Sequence, residues 1–235
     1  MNQILVADSV GKRFANRWVL RSASLRAVRG ELRALLGRNG AGKSTLLRIG
    51  AGLIGADTGN VRFNGVVRER PRLTILAREG LCFVPDHDLL SNSFTVREHL
   101  EFVRQDGDEY DAVDRIAARL SLEALLEARP HELSSGERRR AEVAFAAMRR
   151  PACLLVDEPL RNLSPIDAER LLTVLREMAT EGCAVVVTGH EVPALLAAAH
   201  HVTWCTSGTT YEMGPPFMAR TDDRFVRDYL GSPGG

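Results

Sequence analysis

Residues 37–45 read GRNGAGKST, directly behind the apolar run ELRALL and ahead of STLLRIGAGL. This order dictates a buried strand, a tight glycine-bearing loop and a helix, and it fits G-x-x-x-x-G-K-[ST] in full. In such a loop the glycines let backbone N–H groups close around phosphate oxygens, and the helix N-terminus adds favourable potential. Lys43 is expected to reach the β- and γ-phosphates of a nucleotide and Ser44 to bind Mg²⁺. Gly37, Asn39, Gly40, Ala41, Gly42 and Thr45 complete the expected cradle. A glycine-rich turn holding a stray lysine would lack matching flanks on both sides.

The rest of the chain repeats the theme. Apolar, strand-like runs return at NVRFNG, GLCFVPD, ACLLVDEP, CAVVVTGH and HHVTWCTSG. Helical patterns lie between them, at VREHLEFVRQ, DEYDAVDRIAARLSLEALLEA, GERRRAEVAFAAMRR, DAERLLTVLREMATEG and VPALLAAA. Unbroken apolar strands alternating with helices predict an α/β fold with a mostly parallel sheet covered on both faces. Two regions break the rhythm. Residues 1–30 and 60–68 read as strand after strand, predicting a small antiparallel β lobe. Residues 91–150 are almost wholly helical, predicting an inserted helical lobe, and 231–235 form a frayed tail. All 235 residues then make one domain.

Composition narrows the function classes. A net charge of +1 gives no basic balance that would favour nucleic acid, so no nucleic-acid partner is expected. Cys82, Cys153, Cys183 and Cys205 form no close pair and sit in apolar runs, so they read as buried and reduced. The N-terminal run is short and interrupted by Asp8, unlike a signal peptide, and no run reaches the ~18 apolar residues of a membrane span. A cytoplasmic location is expected, with any membrane role exercised through a partner.

Three further stretches carry chemistry. CLLVDEP, 153–159, is an apolar strand that ends on two carboxylates; beside a nucleotide loop, Asp157 is expected in the Mg²⁺ shell and Glu158 to polarise an attacking water. VVVTGH ends a buried strand at His190, on the carboxyl edge where ligands bind in open α/β sheets, which suits a γ-phosphate contact. HELSSGERRR, 131–140, sets a second glycine-bearing turn at a helix start, an N-cap pattern and a second anion-ready site.

The ordered set GRNGAGKST, LSSGE, LLVDEP and TGH resembles the ATP-binding cassette (ABC) ATPase family over essentially the whole chain. The resemblance implies a P-loop NTPase fold and the nucleotide-binding subunit of an ABC transporter. Two copies, or this chain and a related one, would close on two Mg·ATP and drive a transmembrane permease subunit from the inner face of the cell membrane. Ser134, Ser135 and Gly136 would then contact ATP held by the other subunit, so two chains share each nucleotide. Glu158 would be the general base, with Lys43 and His190 stabilising γ-phosphate charge. Phe14, in GKRFANR, occupies the place where the family stacks a ring on adenine; a strand-end core phenylalanine is the competing reading.

The chain departs from the family pattern in three places. Ser135 replaces a glycine. Asp86, in FVPDHD, replaces the usual glutamine, and its carboxylate is still expected to face Mg²⁺. Ser164, in LRNLSP, replaces the usual aspartate that bridges subunits. The two latter changes leave a slow-turnover, ATP-gated dimerisation switch as an alternative, and a soluble P-loop kinase or GTPase is the more distant one.

Overall fold

The computed structural model describes residues 2–105, 107 and 109–231; the expected tail at 232–235 lies outside the described residues. A ten-stranded sheet runs through them. The strands are β1 Gln3–Phe14, β2 Arg17–Val28, β3 Leu32–Leu36, β4 Thr58–Phe63, β5 Val66–Arg68, β6 Leu81–Val84, β7 Cys153–Val156, β8 Ala184–Gly189, β9 His201–Thr206 and β10 Thr209–Gly214, in the order β5-β4-β1-β2-β10-β9-β3-β8-β7-β6. β9, β3, β8, β7 and β6 run parallel, and β1, β2, β4 and β5 form an antiparallel set. The only link between the two sets in the strand order is β10, which pairs antiparallel with β9 and parallel with β2 at Thr209 and Ser22.

The parallel strands bury both faces, as their unbroken apolar runs require. Leu154, Val156, Val185 and Val187 enter a core shared with the helices α3 Val96–Phe102, α4 Ala112–Arg119, α5 Ser135–Met148, α6 Pro165–Thr180 and α7 Val192–Ala198. Their neighbours Cys153, Leu155, Ala184 and Val186 pack on the opposite face against α1 Lys43–Gly50 and the antiparallel strands. The parallel register places the carboxyl ends of β3, β8 and β7 along one edge, which is where the site residues emerge.

The helical pattern read over 108–128 is shorter and broken among its described residues, 109–128. α4 ends at Arg119, Ser121 turns left-handed at φ 52°, and a single tight turn follows at Glu123–Leu125. The buried guanidinium of Arg140 donates to the carbonyls of Leu120 and Ser121, satisfying the helix end that a continuous helix would have kept for itself. The sequence reading also lacked α2 (Leu73–Arg78), β10 and α8 (Pro216–Thr221). These are short or solvent-facing elements without a strong apolar period.

All four cysteines are buried and unpaired by disulfides. Burial pushes the thiols up, to about 11 for Cys82 and Cys205 and about 12 for Cys183, and Cys153 well above the usual range. The thiolate is the reactive form, so the folded chain should resist alkylation at neutral pH. A maleimide or disulfide reagent is expected to label none of them natively and all four after denaturation. Rapid native labelling would contradict this packing.

Candidate active site

The fully buried β3 delivers the chain into the loop at 37–42, and Gly42 there adopts φ 108°. A side chain at Gly42 would meet Leu20 Cδ2 at 2.5 Å, so both conformation and space require glycine. Lys43 follows as the first residue of α1, nearly buried, with Nζ donating to Gly37 O at 2.8 Å and Arg38 O at 3.4 Å. The same ammonium stands 3.7 Å from Glu158 Oε1. It is thus held inside the loop by weak carbonyl acceptors that an anionic ligand would replace.

At the end of β7, Asp157 is fully buried. Its Oδ1 accepts from Ser44 Oγ at 3.0 Å and Thr188 Oγ1 at 2.6 Å, while Oδ2 has no partner. A buried, orphaned carboxylate oxygen beside a serine hydroxyl is the donor set that a hard divalent cation takes. Thr188 also accepts from the N–H of Glu158 at 2.9 Å, tying β8 to both carboxylate residues. Glu158 sits at φ 51°, an uncommon conformation for a side-chain-bearing residue, which aims its carboxylate at the loop. His190 Nδ1 lies 2.8 Å from Glu158 Oε2, and Nε2 lies 3.5 Å from Glu191 Oε1. The strand ends therefore gather Lys43, Ser44, Asp157, Glu158 and His190 as one constellation.

A cleft of about 970 Å³ opens over this group, lined by Asn39, Gly40, Ala41, Gly42, Lys43, Ser44, Thr45 and Glu158. Gly37 supports it from below through its carbonyl on Lys43. Phe14 does not line the cleft; it is half-exposed at the end of β1, with Lys12 Nζ 5.7 Å from its ring centroid. The aromatic ring at the cleft is Trp18 of β2, with the Arg13 guanidinium 5.3 Å from its centroid.

The second glycine turn lies elsewhere. Ser134 caps α5, accepting from Glu137 N at 3.3 Å while Glu137 Oε2 accepts from Ser134 N at 2.8 Å. Hydrogen bonds from the Ser134 hydroxyl and backbone N–H hold the Glu137 carboxyl below its usual range. A side chain at Gly136 would lie 3.0 Å from Asn162 O, so glycine relieves a tight approach there. Ser135 faces a separate cleft with Asp86 and Asn162, so one chain does not bring Ser134, Ser135 or Gly136 to Lys43.

Two of the departures also find structural roles. Asp86 lines the second cleft, with Oδ1 3.6 Å from Arg48 Nη2 on α1 and 2.8 Å from His87 Nδ1. Ser164 caps α6, accepting from Asp167 N at 3.2 Å and donating to Asp167 Oδ2 at 2.7 Å. Thr188, Glu191, Trp18 and Arg139 were absent from the sequence-derived site; Thr188 and Arg139 stood inside stretches already singled out, VVVTGH and HELSSGERRR.

Comparison with known proteins agrees with this geometry. Residues 20–161 match the family model described as ABC transporter. The chain is 30% identical to the lipopolysaccharide export system ATP-binding protein LptB of Acidithiobacillus ferridurans, over 98% of each. It is 33% identical to the ribose import ATP-binding protein RbsA 1 of Burkholderia thailandensis, over 94% of this chain and 45% of that one. Among solved structures, the ADP conformation of MJ1267, an ATP-binding cassette of an ABC transporter, superposes with a TM-score of 0.81 at 22% identity, over 99% of this chain and 100% of that one. The dimeric post-hydrolysis state of the cassette MJ0796, bound to ADP and Pi, gives 0.78 at 22% identity, over 89% and 98%. With a P-loop NTPase core, an antiparallel β lobe and a helical lobe around a phosphate loop that faces two strand-end carboxylates, this chain belongs to the ABC transporter family, as an ATP-hydrolysing nucleotide-binding subunit.

Proposed function

We propose that Lys43, Ser44, Asp157, Glu158 and His190 carry out Mg²⁺-dependent ATP hydrolysis, and that the chain works as a dimer beneath a transmembrane permease. The observation that carries this reading is the contact of Glu158 with both Lys43 and His190 at the mouth of the phosphate loop. In it, the phosphate oxygens of ATP replace the carbonyls of Gly37 and Arg38 around the Lys43 ammonium. Glu158 accepts a proton from the attacking water, and His190, already on the same carboxylate, holds that group in place and faces the γ-phosphate. Ser44 Oγ and the free Oδ2 of Asp157 would hold Mg²⁺, which supplies charge neutralisation on the phosphates when bound. Asp86, beside Arg48, lines the other cleft.

The separation of the two clefts supports the dimer. Ser134, Ser135 and Gly136 present an N-capped helix start to a cleft away from Lys43, leaving it for the nucleotide of another chain. A homodimer needs no further component, since all the phosphate-contacting motifs are present; a heterodimer with a second cassette is the paired alternative. Among the described residues no helix is long and apolar enough to cross a membrane, so the membrane part belongs to the permease. An apolar hollow formed by Leu89, Phe94, Phe102 and Phe145 on the helical side suits its docking element. The resulting location is cytoplasmic, on the inner face of the membrane. Relatives of similar identity are named for lipopolysaccharide export and ribose import, so identity at this level does not carry a cargo across. The slow-turnover switch remains the second reading, favoured by the use of Ser164 as a helix cap in place of a carboxylate.

Glu158→Gln is expected to bind ATP while hydrolysis falls by roughly 10²-fold or more, the scale of lost general-base catalysis. Normal turnover in this variant would remove the assignment. Sedimentation of Glu158→Gln should show a Mg·ATP-dependent dimer, because a ligand enclosed only by the dimer stabilises it by mass action. A strict monomer that dimerises only with a second cassette would favour the heterodimer. Thr188→Val keeps the shape but strips hydrogen bonds from Asp157 and Glu158. Its turnover should fall about tenfold, for a loss of about 1–2 kcal/mol. Steady-state phosphate release measures it, and an unchanged rate would deny Thr188 a positioning role.

A further inference from the structure

The side chains of Arg139 and Glu142, one turn apart on α5, are 4% and 2% exposed, among the most buried charged side chains described. The guanidinium donates to Glu142 Oε2 at 2.8 Å, to the carbonyl of Pro85 and to the carbonyl of Asp157. Glu142 Oε1 in turn accepts from Leu89 N at 3.1 Å. Three segments therefore meet on this one ion pair: the helix that begins at Ser134, the loop 85–89 after β6, and the end of β7.

The contact with Asp157 is the telling one. The Asp157 carbonyl belongs to the same peptide unit as the N–H of Glu158, and that N–H donates to Thr188 Oγ1. Arg139 from α5 and Thr188 from β8 thus pin the two ends of one rigid peptide plane. Directly after it stands Glu158, with its left-handed φ of 51°. Such a conformation persists only where the surroundings over-determine it. Arg139 is one of the two groups that do so.

We propose that Arg139 is a positioning residue for hydrolysis, fixing the Asp157–Glu158 peptide and, through Glu142, making loop 85–89 move with it. Stability alone is a weak reason for such a pair, because a buried ion pair is often no more stabilising than apolar side chains of similar volume. The loop end that it holds is not idle: the Leu89 side chain lines the apolar hollow with Phe94, Phe102 and Phe145. An occupant of that hollow and the carboxylate of Glu158 are consequently joined through two side chains. The inference rests on the ATPase reading of the site.

The experiment compares the intact parent chain with Arg139→Met/Glu142→Leu and with Glu142→Gln. It measures thermal unfolding, ADP affinity, and kcat and KM for ATP. The double variant is expected to unfold cooperatively and to keep ADP affinity and KM within about twofold, since it leaves the phosphate loop intact. Its kcat should fall tenfold or more. Glu142→Gln keeps the carbonyl contacts of Arg139 and should lose kcat selectively but less. A folded double variant with parental kcat would overturn the proposal, as would a parallel loss of ADP affinity and kcat. If the double variant does not fold, a parental kcat in Glu142→Gln overturns it and a selective kcat loss supports it; failure of both to fold overturns it in favour of a stability element. A parent chain that binds no ADP would instead strike the ATPase reading itself.

Discussion

The carboxylate of Asp157 is the constraint around which the rest of the site is arranged. A carboxyl group with no exposure must be compensated, and here the compensation is incomplete. One oxygen receives hydroxyls from α1 and β8, which draws the helix behind the phosphate loop and the strand bearing His190 onto the end of β7. The other oxygen is left without a partner. Strand order makes this possible. β3, β8 and β7 are neighbours in parallel register, so the ends that carry Gly37, His190 and Asp157 come out together.

The arginines at the start of α5 serve the backbone as well as charge. Arg138, Arg139 and Arg140, consecutive on α5, each donate to main-chain carbonyls: those of Pro130, of Pro85 and Asp157, and of Leu120 and Ser121. The planar, five-donor guanidinium can satisfy several carbonyls at once, which a lysine cannot. A run that reads as a basic helix face is therefore a set of ties from the helix at Ser134 to its neighbours. Net charge stays near zero while the fold gains its cross-links.

Local chemistry was legible in the sequence, and long-range register was not. GRNGAGKST and LLVDEP announced Lys43, Ser44, Asp157 and Glu158 because each motif carries its own strand and turn signals. Trp18 was invisible because the β1–β2 pairing decides which ring faces the cleft: Arg13 lies opposite Trp18 and Phe14 opposite Arg17. A shift of one residue would reverse that choice, and no single strand encodes it. Asp86 was read from its neighbours toward a metal; the Arg48 guanidinium that lies 3.6 Å from its carboxylate comes from a helix far off in sequence. The break after α4 likewise depends on Arg140, which no window around Ser121 contains.

The central claim is that the free oxygen of Asp157 and the hydroxyl of Ser44 are reserved for a divalent cation that accompanies nucleotide. Electron paramagnetic resonance of Mn²⁺ titrated into the intact chain with ADP tests this without relying on turnover. The parent should bind one Mn²⁺ in an ADP-dependent manner, and Asp157→Asn should lose that Mn²⁺ while still binding ADP. Equal, ADP-dependent Mn²⁺ binding by both proteins would contradict the claim.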